Sequence, residues 1–139
     1  MMINRQVIER IQIVLQTDNL LLLNILMSSD GMVQRLGSGD LDNVEHELIC
    51  DTIENCCFQE LLKSLPKDFF ESVGSYNDPN LQGERLGLSI LVIVGGQEYC
   101  FQIVYGSKSE GPPDDVVSFV TTAKRLTESW YQQLKDCET

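Results

Sequence analysis

Positive charge is scarce in this chain. Ten Lys and Arg stand against twenty-one Asp and Glu, a formal charge of −11 over 139 residues. Neutralising a phosphate backbone needs a basic patch, and only Lys124–Arg125 sets two basic residues side by side. The balance argues against nucleic acid as a partner, and against an anionic membrane surface for the same reason. Long apolar runs are also missing. One, Leu20–Leu23, is interrupted by Asn24 before Ile25–Met27, which suits a buried strand and falls far short of a membrane span. The first residues, Met1-Met2-Ile3-Asn4-Arg5-Gln6, lack the apolar centre of a secretory signal, so the expected address is the cytoplasm.

Catalytic signatures are equally thin. There is one histidine, His46, and the sequence has no GxSxG, Walker A loop or dinucleotide fingerprint. Gly37-Ser38-Gly39 is too short a glycine signal for a phosphate cradle, and the alternating oxygen ligands of an EF-hand are absent. Five cysteines (Cys50, Cys56, Cys57, Cys100 and Cys137) are odd in number and show no CxxC spacing; in a reducing compartment they read as small buried hydrophobes. Were residues 45–57 one helix, His46 and Cys50 would share a face as a metal pair. Cys50 or Cys57 beside His46 and an acid can also be drawn as a nucleophilic triad. A helix cap expected at Asp51 separates those groups, and no oxyanion-forming turn adjoins them. The sequence therefore implies no metal, no cofactor and no catalytic residues.

What is present is pattern. Gly95–Gly96 separates two alternating segments, a two-residue hairpin signal. That turn sets Val92 opposite Tyr99, Ile90 opposite Phe101, Leu88 opposite Ile103 and Leu86 opposite Tyr105, all on one apolar face. Gly87, Ser89, Leu91 and Ile93 face Val104, Gln102, Cys100 and Glu98 on the other. A second hairpin, 21–29 with 32–37, is expected to turn on Asp30–Gly31, placing Leu23, Ile25, Met27 and Leu36 on one face and Asn24, Leu26, Val33 and Arg35 on the other.

Ile3, Val7, Ile11 and Val14/Leu15 recur at helical spacing and predict a first helix over 3–16. Residues 41–50 suit either a helix or, at 46–50, a short strand. Asp51 with Glu54 resembles a capping box that opens a helix running to about Ser64. A short helix over 66–73 follows, stopped by Gly74, then a loop over 75–85. Pro112-Pro113-Asp114-Asp115 opens a long helix over about 113–135, with Val116, Phe119, Val120, Ala123, Leu126/Thr127, Trp130 and Leu134 on its buried face and Tyr131 outside it.

The expected fold is a single α+β domain over 1–139: two antiparallel hairpins in a four- or five-stranded sheet, helices on one face in two layers, and a long C-terminal helix. From Asp40 to Leu62 there are seven acids and no Lys or Arg. That segment points to a non-enzymatic interaction module for a basic protein partner, through Asp40, Asp42, Glu45, Glu47, Asp51 and Glu54. In size and charge alone the chain is similar to immunity proteins that block toxins, with no shared motif. The alternative is a small-molecule pocket between the long helix and an aromatic set, Tyr76, Tyr99, Phe101 and Tyr105. Tyr76, Asn77, Asp78, Arg85, Tyr105, Lys108 and Glu110 are expected to share one rim. Apolar residues on the second faces of the hairpins (Leu26, Val33, Leu91, Ile93, Val104) call for a cover, which either the N-terminal helix or a second subunit in a homodimer supplies.

Overall fold

A computed structural model describes residues 7–45, 47–52 and 55–137, without the side chains of 55, 56 and 135–137. In chain order the elements are β1 (Ile8–Gln16), β2 (Leu21–Ser28), β3 (Met32–Leu36), β4 (Leu48–Thr52), α1 (Asn55–Ser64), a 3-10 turn (Phe69–Glu71), β5 (Gly74–Asn77), β6 (Arg85–Val94), β7 (Gln97–Gly106) and α2 (Asp114–Cys137). Among the described residues the strands form one seven-stranded sheet, ordered β4-β3-β2-β1-β6-β7-β5. Only the β5–β7 pairing is parallel. The α+β class, the mostly antiparallel sheet and the long last helix match expectation, but the sheet is larger than the four or five strands foreseen. No helix among the described residues is long and apolar enough to cross a membrane.

The β6–β7 hairpin keeps the register that its turn dictates. Val92 pairs with Tyr99, Ile90 with Phe101, Leu88 with Ile103 and Leu86 with Tyr105. Gly95 and Gly96 both take positive φ, 56° and 82°, as a type I′ turn requires.

The first hairpin is shifted by one residue. Met27 pairs with Val33 and Ile25 with Arg35, so the loop is Ser29-Asp30-Gly31, three residues rather than two. Gly31 at φ 96° donates to the Ser28 carbonyl at 3.0 Å, and the Asp30 carboxylate accepts the Met32 amide at 3.1 Å. One extra loop residue turns every side chain of the second strand over. Val33 and Arg35 therefore point inward, and Leu36 sits with Asn24 on the outside.

The helix expected over 3–16 is a strand where it is described, and residues 1–6 lie outside the description. Ile11, Ile13 and Leu15 alternate with Gln12, Val14 and Gln16, and β-branched side chains fit a pleated surface. A bulge between Ile8 and Arg10 lets Ile8 point inward as well. β1 lies between β2 and β6 and joins the two halves of the sheet.

Other boundaries move for local reasons. Asp51 lies within β4 and α1 starts at Asn55, while Ile53 and Glu54, on which the expected capping box falls, lie outside the described residues. The helix expected over 66–73 shrinks to the 3-10 turn, and part of the expected 75–85 loop is β5. On α2, Tyr131 is fully buried and Trp130 sits at the margin, reversing their expected places.

One core results. Ile11, Ile13, Ile25, Met27, Val33, Ile90, Val92 and Phe101 form its sheet side; Phe58, Leu61 and Leu62 of α1 join Val116, Phe119 and Ala123 of α2 as its lid. Both helices thus cover the same face of the sheet.

Arg35 is the exception in this core: it is fully buried. Its Nε donates to the Gly37 carbonyl at 3.1 Å, and Nη1 donates to the Lys124 carbonyl at 3.1 Å and to Thr127 Oγ1 at 3.0 Å. Nη2 closes an ion pair with Glu128 at 2.8 Å, and the guanidinium lies 4.8 Å from the Tyr131 ring centre. Arg35→Ala is expected to destabilise the fold by about 3–5 kcal/mol in denaturant unfolding, because it strands buried carbonyls and a hydroxyl as well as opening a void.

Candidate functional site

The acidic segment occupies the β3–β4 connection and the edge strand β4. After β3 the chain folds back on β2, where the Gly39 amide donates to the Leu22 carbonyl at 2.9 Å. Ser38 Oγ donates to the Asn43 carbonyl and accepts the Asp40 amide at 3.1 Å, and Asp40 and Asn43 form an isolated bridge. Asn43 Nδ2 donates to Glu45 Oε1 at 3.4 Å. The connection is a built turn.

Two anchors hold it against α2. Lys124 Nζ lies 3.9 Å from Asp40 Oδ1. Tyr131 Oη donates to the Glu47 carbonyl at 2.7 Å and accepts the Gly37 amide at 3.2 Å, tying both ends of the connection to one side chain. Nothing in the local pattern signals this role, because Tyr131 follows Trp130 and only one of the pair fits the buried stripe.

Asp40, Asp42, Glu47 and Asp51 are exposed, Glu45 is half-buried, and Glu54 lies outside the described residues. Asp51 pairs across to Val33 in β4, with its carboxylate on the Thr52 amide at 2.7 Å. The seventh acid of the segment, Glu60, is on α1 and pairs with Arg125 at 3.0 Å. The one adjacent basic pair of the chain, Lys124–Arg125, is therefore turned to acids of this same segment. On its outer side β4 has no neighbouring strand among the described residues, and Leu48 is half exposed, at 53%.

The aromatic set does not gather into one pocket. Tyr99 meets Phe70 edge-on at 5.1 Å, Phe70 meets Phe69 edge-on at 5.3 Å, and Tyr76 lies tilted against Phe101 at 5.3 Å. Those rings fill space between the sheet and the 3-10 turn. Tyr105 lines a cavity under α2, of about 130 Å³, with Leu15, Leu23, Leu88, Val120 and Lys124, and Phe101 lines a separate one, of about 200 Å³, with Phe69 and with Val116 at the start of α2. Burial pushes the Tyr105 hydroxyl above its ordinary pKa. The expected rim does form in part: Asp78, Lys108 and Glu110 line one groove with Asn80, Gln82 and Ser109, closed by hydrogen bonds from Lys108 N to Gln82 O and from Gln82 N to Ser109 Oγ.

His46 lies outside the described residues. Cys50 is exposed on β4 and Cys57 half-buried on α1. Among the described residues no three metal-ligating side chains come together. No protein-family model matches this sequence, and no curated protein does.

Glu128, where Arg35 meets solvent, has a depressed pKa. Partial burial alone raises it, but the Gln132 side-chain hydrogen bond, Arg35 and Lys124 together outweigh that and hold the carboxyl below the ordinary carboxylate range. A depressed folded-state pKa adds stability that is complete above the unfolded value, about 4.3, and is lost as pH falls through the folded one. Thermal melts between neutral pH and pH ~3 are expected to fall less steeply for Glu128→Gln than for the native chain.

Proposed function

We propose that this chain is a non-enzymatic interaction module that takes an extended, basic segment of a partner protein along β4. The observation that carries the reading is the coincidence of two features at one place. β4 is an edge strand whose outer backbone groups have no strand partner among the described residues, and the acids of the 40–51 segment flank that same edge. Strand addition draws affinity from main-chain hydrogen bonds, while charge selects the partner and speeds encounter. Acids on an edge also discourage pairing between copies, so the edge is open to a basic strand and closed to an identical one.

The test is fluorescence anisotropy with a labelled peptide of alternating Lys and Val. Binding is expected to weaken as salt rises, to fall at least about tenfold when Asp40, Asp42, Glu45, Glu47 and Asp51 are changed to Asn or Gln, and to slow amide exchange over 48–52. Absence of binding, or binding indifferent to those substitutions, overturns the proposal.

The cavity beside Tyr105 supports a second reading, a site for a small apolar molecule, with the Lys124 ammonium suited to a carboxylate at the mouth. Short-chain carboxylates raise the melting temperature if it holds, and leave it unchanged if the space is packing alone.

A further inference from the structure

Strand addition leaves open which residues the added segment carries, and the pairing of β3 with β4 decides that. The rows of side chains that cross the sheet end on β4: Leu36 pairs with Leu48, Arg35 with Ile49, Gln34 with Cys50, Val33 with Asp51 and Met32 with Thr52. A strand laid along the outer side of β4 extends each row by one residue, and neighbours within a row interact directly. The two faces differ. Arg35, Val33 and Ile49 are buried on the helix side, where Asp51 follows in the same alternation but is exposed. Leu48, Cys50 and Thr52 take the other face and carry no charge.

Each row asks for a different neighbour. Leu48 has Leu36 on one flank and is half exposed, so its row calls for an apolar side chain. The Ile49 row offers buried apolar surface and, one strand further in, the buried Arg35. A base placed there gains no carboxylate and loses water. The Cys50 row is uncharged. Carboxylates stand only at Asp51, within the strand, and at Glu47, immediately before it. Both are exposed, and neither has an ion-pair partner among the described residues. They are four residues apart, an even spacing that sets them on one side of an extended chain about 13 Å from each other.

Given strand addition at β4, on which this rests, the geometry points to a partner segment of five residues in which two bases bracket three apolar ones. The bases lie opposite Glu47 and Asp51, and the apolar residues lie opposite Leu48, Ile49 and Cys50. This order reads the same in both directions, so it serves a parallel or an antiparallel segment. Charge alone does not make the selection. Within the span of β4, a segment whose bases are two apart sets both against Leu48 and Cys50, or reaches one acid and sets its other base against Ile49.

Fluorescence anisotropy with two labelled peptides of identical composition, each flanked by Gly-Ser, tests the order. One has the core Lys-Val-Val-Val-Lys and the other Val-Lys-Val-Lys-Val. The first is expected to bind the native chain at least about fivefold more tightly. That advantage is expected to vanish in the double variant Glu47→Gln with Asp51→Asn. Leu48→Ser, which changes no charge, is expected to weaken the first peptide about threefold. All three positions are exposed, and thermal melts of the variants check that they fold. Equal, salt-sensitive binding of the two peptides overturns the order and leaves strand addition standing. An advantage that survives the double variant overturns the assignment of the bases to Glu47 and Asp51, and absence of binding by either peptide overturns strand addition together with the order.

Discussion

A buried guanidinium holds this molecule together. Arg35 rises from a strand into the core, where it meets carbonyls from just beyond its own strand and from α2, a threonine hydroxyl, a carboxylate at the water's edge and an aromatic face. Burying a cation is costly, and the cost is offset only when every partner is in position. That condition fixes the rotation of α2 about its axis, because Lys124, Thr127, Glu128 and Tyr131 must all present themselves to one group. It also fixes β3 against α2. The acidic connection inherits its shape from the same clamp, since Tyr131 reaches past Arg35 to both of its ends. A basic residue deep in the structure thus sets the geometry of the acidic edge.

The sequence was most legible where one local constraint decided many residues. Gly95–Gly96 determined the pairing of β6 and β7 because two positive-φ positions admit few turns. Pro113 and the acids after it marked the start of α2 for equally local reasons. It was least legible where a long-range partner decided the outcome. β1 reads as a helix by periodicity, and only pairing with its neighbours β2 and β6 makes it a strand. Asp30–Gly31 suits both a two- and a three-residue loop, and the choice turns on the inward demand for Arg35, whose partners lie about ninety residues away. The acidic residues were visible as composition, but nothing local showed that they would flank an edge strand. The aromatic residues were visible as a set, yet Tyr76 and Tyr105 went to different surroundings because β5 joins the sheet in parallel, beyond what alternation encodes.

The two surfaces left open by this architecture differ in kind. The β4 edge offers negative charge and backbone with no strand partner among the described residues, while the face away from the helices offers mostly uncharged side chains. Both follow from placing two helices on one side of seven strands: the lid covers one face, and the other face and the sheet's edges are left to solvent or to partners.

The pairing of β1 with β6 has a temporal consequence. The strand at the centre of the sheet finds its second neighbour only after about seventy further residues have been made. During synthesis β1, β2 and β3 can form a meander, but its inner edge is an unpaired, apolar strand until β6 emerges and the β6–β7 hairpin supplies the missing neighbour. Closure of the sheet is thus a late, non-local event, and such events are slow to nucleate. The vulnerable species in the life of this protein is the nascent half-sheet, exposed along the seam that later becomes its middle.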